Sequence, residues 1–158
     1  MNPLSSRRCF TLLFAALLCS NLLPAGPSHG DSDHAHAGLT APNGGRLVQT
    51  VEPHLEFLLL PDRFVQISFV NDAGELVAAA EQSIRLVGGD RSHAIRVGFE
   101  RVGTVLRSTQ AMPDLADMPI ILQIKTDPSA GTVLEKFYLN TFTCGGCDLA
   151  EYACTCGH

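Results

Sequence analysis

No Gly-rich phosphate loop, no Gly-x-Ser-x-Gly elbow and no His-Glu-x-x-His pair occurs anywhere in the 158 residues. The signatures of nucleotide-phosphate binding, serine hydrolysis and zinc-peptidase chemistry are therefore missing. Glu52, Glu56, Asp62 and Glu100 have no motif around them, so nothing nominates an enzyme. The chain also lacks a basic block. Its net charge is −5. Arg85, Arg91, Arg96, Arg101 and Arg107 are dispersed among apolar runs, which reads as a solvated face. An acidic chain of this kind argues against nucleic acid and against anionic lipid surfaces as partners. No internal repeat is visible, and no long segment places apolar residues at helical spacing.

Only one stretch approaches the length of a membrane span, and it lies at the start. Arg7 and Arg8 precede an apolar run from Phe10 to Leu23, followed by the small, turn-prone segment Pro24–Gly30. That order predicts an export signal over residues 1–30, too short for a comfortable transmembrane helix. Ser28-His29-Gly30 supplies the small residues before a cut, with Ala25 as a rival position. Cys19 raises a lipid-anchored alternative, which the bulk of Leu18 disfavours. The expected location is periplasmic or secreted. Removing the leader takes away Arg7 and Arg8 and no acid, so the mature chain is more acidic still. Residues 31–158 suffice for one domain with a core of its own, and not for two.

Residues 31–43, DSDHAHAGLTAPN, are small and polar and read as a flexible arm. From Gly44 onward short runs rich in Val, Ile, Leu and Phe follow one another: RLVQTV, HLEFLLL, RFVQISFV, ELVAA, SIRLVGG, HAIRVGF and GTVLRST. Pro53, Pro61-Asp62 and Asn71-Asp72-Ala73-Gly74 separate the first of these, and such residues mark turns. Ile120, Leu122 and Ile124 alternate with Gln123 and Lys125, the period of a half-buried strand. TVLEKFYLNTF closes the series. About eight short strands at this spacing predict an all-β, immunoglobulin-like antiparallel sandwich over residues 44–142, with an open barrel as the alternative. A Cys-rich tail over 143–158 follows, and the sandwich is expected to fold without it.

Four of the six cysteines sit in that tail, CGGCDLAEYACTCGH. Cys144 and Cys147 have knuckle spacing, and Gly145-Gly146 lets the backbone turn so that both sulfurs face one point. Cys154, Cys156 and His158 come shortly after. The intervening DLAEYA contains good helix formers, and one short helix would set Cys147 and Cys154 on a common face. Two readings remain open. In the first, the four thiolates bind a soft ion, Zn(II) or Cu(I), with His158 as substitute or extra ligand. In the second, two disulfides staple the tail, as export into an oxidising compartment would favour. A Cys154–Cys156 bond would be cramped, which leaves the two crossed pairings. Redox catalysis is disfavoured because a catalytic Cys-x-x-Cys belongs at a helix start in a βαβ fold.

The remaining candidate ligands are histidines. His34 and His36 stand as His-Ala-His, able to project from one side of an extended arm. His54 opens a strand, with Glu56 two residues on and pointing the same way. Imidazole is the commonest metal ligand. His93 has no partner in sequence and reads as a surface histidine. Met112 and Met118 offer thioethers to Cu(I), but core filling is their commoner use.

With these residues in view, HAHAGLTAPNGGRLV followed by HLEFLLLPDRFVQISFVNDAGELV resembles small exported bacterial β-sandwich domains associated with heavy-metal handling. The carriers of the resemblance are His34, His36, Gly44-Gly45, His54 and the Asn71–Gly74 turn, and it spans about the first half of the mature chain. It implies a periplasmic metal-binding or metal-resistance accessory role, with a metal transporter or efflux component as partner. The cysteine tail departs from copper-resistance sandwiches of that type, which lean on His and Met, so a simple Cu(II) assignment does not carry over. The expected function is buffering or delivery of Zn or Cu(I). The alternative is a disulfide-stapled adaptor or surface module that binds another protein without metal.

Overall fold

In the computed structural model residues 38–156 are described. The expected export signal, His34, His36 and His158 lie outside them. The described chain is all-β, with nine strands and no α-helix. They are β1 (Arg46–Val48), β2 (His54–Leu59), β3 (Val65–Val70), β4 (Leu76–Val77), β5 (Ser83–Gly88), β6 (Ile95–Val102), β7 (Val105–Ser108), β8 (Pro119–Lys125) and β9 (Val133–Tyr138). The turn residues fall between them as expected. Asn71 accepts hydrogen bonds at Oδ1 from the amides of Ala73 (3.0 Å) and Glu75 (2.9 Å), which closes the turn between β3 and β4.

Every pairing is antiparallel, and the path is continuous in the order β1-β2-β3-β7-β6-β5-β8-β9, with β4 beside β3. β6 joins the two halves. Its residues Ile95–Gly98 pair with β5, and Phe99–Val102 pair with β7. The two edge strands then face each other. Arg46 on β1 reaches Glu135 on β9 at 3.5 Å and lies over the Phe137 ring at 4.9 Å. Phe57 meets Phe137 edge-on at 5.1 Å. The result is a nearly closed, barrel-like sheet, which matches the open-barrel alternative more closely than two separate sandwich layers.

Alternation builds the core. Ile120, Leu122 and Ile124 of β8 point inward with Ile84 and Leu86 of β5, Leu55 and Phe57 of β2, and Val65, Ile67 and Phe69 of β3. Met112 and Met118 are buried among them, so both fill the core. The other face of β2 is covered as well, and it carries buried His54 and Glu56. The Glu56 carboxylate accepts three hydrogen bonds, from the Asn43 amide (2.8 Å), the Gly45 amide (2.8 Å) and the Asn43 side chain (2.7 Å). The end of the arm is thus fastened to the sheet at Asn43. Gly45 passes so close to β2 that a Cβ there would lie 2.4 Å from the Phe57 carbonyl oxygen, which no side chain tolerates.

The tail is not an appendage to this core. Tyr152 is buried and packs edge-on to Phe57 at 5.8 Å. Its hydroxyl accepts the Leu59 amide at 3.1 Å, and its carbonyl accepts from Arg46 at 3.4 Å. Residues beyond the last strand thus fill the seam between β1 and β9, so the tail adds to the core that the strands build.

Two stability effects follow. Tyr152→Ala should cost about 3–5 kcal/mol, the usual range for deleting a buried aromatic ring. Tyr152→Phe should cost only about 1 kcal/mol, for one hydrogen bond. Glu56→Ala strands three donors and should cost about 3 kcal/mol, whereas Glu56→Gln keeps one carbonyl oxygen and should cost less. Urea titrations of the four variants check the order. Equal midpoints for wild type and Tyr152→Ala would show that the tail contributes nothing to the core.

Candidate metal centre

The DLAEYA segment does not form the expected helix. A 3-10 turn covers only Glu151–Ala153. The reason is pairing. Thr143 and Ala150 make an antiparallel bridge, the Glu151 amide donates to the Phe142 carbonyl (2.8 Å), and the Tyr152 amide donates to that of Asn140 (3.0 Å). The chain after β9 is thus a small hairpin. Its tip is CGGCDL, closed by a bond from the Cys144 amide to the Leu149 carbonyl (2.7 Å). Asp148 sits at the bend with φ 59, a left-handed value that Asp tolerates better than most residues.

This hairpin brings the four cysteines together by a route other than a helix face. Their sulfurs all lie within 4.8 Å of one another. Cys154 Sγ is 3.3 Å from Cys144 Sγ and 3.6 Å from Cys147 Sγ. A tetrahedral zinc site with Zn–S bonds of about 2.3 Å sets its sulfurs about 3.8 Å apart. A disulfide needs about 2.05 Å. The sulfurs are too far apart for disulfide bonds and close enough that they could hold one ion between them.

Backbone amides aim the sulfurs. Gly146 N–H points at Cys144 Sγ (3.4 Å), and Cys156 N–H points at Cys154 Sγ (3.3 Å). The Leu149 amide bonds to the Cys147 sulfur and, with the neighbouring thiols, holds its pKa below the usual thiol range. Cys154 accepts its stabilising amide from Cys156, but burial and the neighbouring sulfurs leave its pKa raised. Cys156 donates to Cys147 and Cys154 and is pushed up to about 12. Of these three, Cys147 is thus the readiest to lose its proton. Cys144 is buried and Cys156 is exposed, so the cluster opens to solvent from the Cys156 side.

Of the other expected ligands, His54 lies in β2, away from this hairpin in sequence and held by its own partners. Its ring meets Val51, Asp72 and Glu52. Glu56, expected beside it, is occupied by Asn43 and Gly45. His93 is a surface residue next to Asp90. Sequence reasoning passed over Glu52 and Asp72, which stand at the two turns flanking the β2–β3 pair. His34, His36 and His158 belong to the undescribed residues. No described helix is long and apolar enough to cross a membrane. Comparison of the chain with protein-family models, with curated proteins and with solved structures finds no match.

Metal binding to this cluster must displace thiol protons. Because the pKa of Cys154 and Cys156 is raised, more than one proton leaves per ion near neutrality. Apparent affinity should therefore rise with pH and fall more than tenfold for each unit lost below neutrality. Cys147→Ser removes the favoured thiolate and should weaken binding far more than His158→Ala. Competition titrations of the reduced protein with a chromogenic chelator at several pH values check both. A pH-independent affinity would exclude thiolate coordination.

Proposed function

We propose that the protein is an exported, non-catalytic metal-binding protein that buffers or delivers a soft metal ion through Cys144, Cys147, Cys154 and Cys156. One observation carries this reading: four sulfurs from a hairpin tip and the segment that returns from it lie close together, with amides directed at three of them. Four convergent sulfurs favour Zn(II), and Cu(I) is the other ion that such soft donors suit.

The gradient of exposure supports cargo rather than a purely structural ion. A partner's ligand can approach at exposed Cys156 and displace the sulfurs in turn, while buried Cys144 holds its place. Most of the core, from Leu55 and Phe57 to Ile124, is carried by the strands, with Tyr152 and Ala153 of the tail packed among them, so the sheet should survive loss of the ion. Export rests on the order of charges and apolar residues in the leader. A transporter or efflux component as partner rests on the resemblance of the first half of the chain to heavy-metal-handling domains.

Native mass spectrometry of the mature protein, with and without reductant, tests the reading. At least one metal ion per chain and four thiols titratable after chelation are expected, with the β-sheet circular dichroism kept once the metal is gone. A chain four hydrogens lighter that carries no metal would establish two disulfides and favour the stapled adaptor instead. Loss of the sheet signal on chelation would make the ion a structural staple.

A further inference from the structure

Three side chains far from the cysteines in sequence also converge. Glu52, His54 and Asp72 bring one ligand atom each to within 4.8 Å of the others. The topology explains why. His54, the first residue of β2, is paired with Val70, the last of β3. The chain leaving β3 must therefore pass the imidazole, and the Asn71–Gly74 turn that follows sets Asp72 beside it. This turn is firmly closed, with the Gly74 amide on the Asn71 carbonyl (2.9 Å) and Gly74 at φ 80. Glu52 approaches from the other side, in the loop that leads into β2.

The imidazole is held in one orientation. Its side chain is 3% exposed, and Nδ1 lies 2.9 Å from the Val51 carbonyl oxygen. A carbonyl only accepts, so Nδ1 carries the hydrogen. In the neutral ring Nε2 is then a lone pair. It faces Asp72 Oδ1 at 3.1 Å and Glu52 Oε2 at 3.6 Å. A lone pair and two anionic oxygens at these distances repel one another unless something positive stands between them. That is either a proton on Nε2 or a metal ion. A carbonyl on the far nitrogen is the usual support of a metal-bound histidine, because it fixes the tautomer and raises ligand basicity. Metal–ligand bonds of about 2.0–2.2 Å place neighbouring N and O donors roughly 3–3.5 Å apart, close to the spacing found here.

We propose that Glu52, His54 and Asp72 form a second cation site, for a divalent first-row metal ion, separate from the cysteine cluster. Its donors are one nitrogen and carboxylate oxygens, with no sulfur. That set suits Zn(II), Ni(II), Co(II) or Mn(II) and not Cu(I). Glu52 and Asp72 side chains are 60% and 71% exposed, so they can adjust to the ion and leave water in its remaining positions. The site does not depend on the reading of the thiols, since no residue is shared.

The test is a Zn(II) titration of the full mature chain, read by calorimetry and by the imidazole nitrogen resonances of His54. After the cysteines have taken the first equivalent, a second should move the Nε2 resonance to a metal-bound position while Nδ1 stays protonated. Glu52→Gln combined with Asp72→Asn should weaken that second step more than tenfold and leave the first unchanged. Both replaced side chains are largely exposed, so the fold should persist. The proposal is overturned if His54 keeps hydrogens on both nitrogens at saturating zinc. It is also overturned if the second ion binds equally well to the double variant, or if the step disappears only in His34→Ala/His36→Ala. If the cysteines prove to be disulfides, the first step vanishes and the His54 resonances still report on this site.

Discussion

The Glu56 carboxylate is the fixed point from which the rest of the structure can be traced. It is fully buried, and it is tied to Asn43 and Gly45 by three short hydrogen bonds. A buried carboxylate is costly unless its oxygens are satisfied, so it strongly dictates where those amides must lie. Fixing Asn43–Gly45 fixes the start of β1. That places Arg46 against Phe137 and Glu135 of the opposite edge and beneath the Tyr152 carbonyl. It also sets Gly44 near Leu149, whose amide and carbonyl shape the cysteine hairpin. A single acid on β2 therefore connects the arm, the seam of the barrel and the metal-ligand cluster.

The seam explains why the Cys-rich segment is ordered at all. A short, Gly-rich, polar segment has little apolar surface with which to offset the entropy of ordering. Tyr152 supplies it, inserting against Phe57 between the two sheet edges. The hairpin is thus anchored at its base by an aromatic side chain, leaving the tip to present sulfurs. Rigid support beneath and graded exposure above are the conditions under which a site can hold an ion and still exchange it.

The two ligand clusters differ in chemistry in a way that follows from their surroundings. The tail offers four sulfurs and suits soft ions. The turns flanking β2 and β3 offer imidazole and carboxylates and suit harder divalent ions. Cu(I) would go to the sulfurs alone, whereas Zn(II) suits both donor sets, because affinity follows donor softness as well as geometry. Both clusters use the main chain in the same manner: amides steer the sulfurs, and the Val51 carbonyl steers His54.

Much of this was determined by the sequence alone. Alternation in Ile120–Lys125 gave β8, and Asn71–Gly74 marked a turn, because side-chain period and turn chemistry are local properties. The spacing of Cys144, Cys147, Cys154 and Cys156 was enough to mark four sulfurs that could converge, with metal ligation and disulfides both left open, for the same reason. What tertiary structure decided are the pairings over long separations. DLAEYA has helical propensity, yet Ala150 bridges Thr143 and Tyr152 enters the core, since burying a ring outweighs a weak preference of a few residues. Glu56 looked like a partner for His54, but Asn43 and Gly45 claimed it. Glu52 and Asp72 could not be matched to His54 until β2 was paired with β3, because a strand register joins residues that sequence distance keeps apart. The closing of the sheet at Arg46 and Phe137 had no local signal either, because it depends on the summed twist and curl of every strand between them.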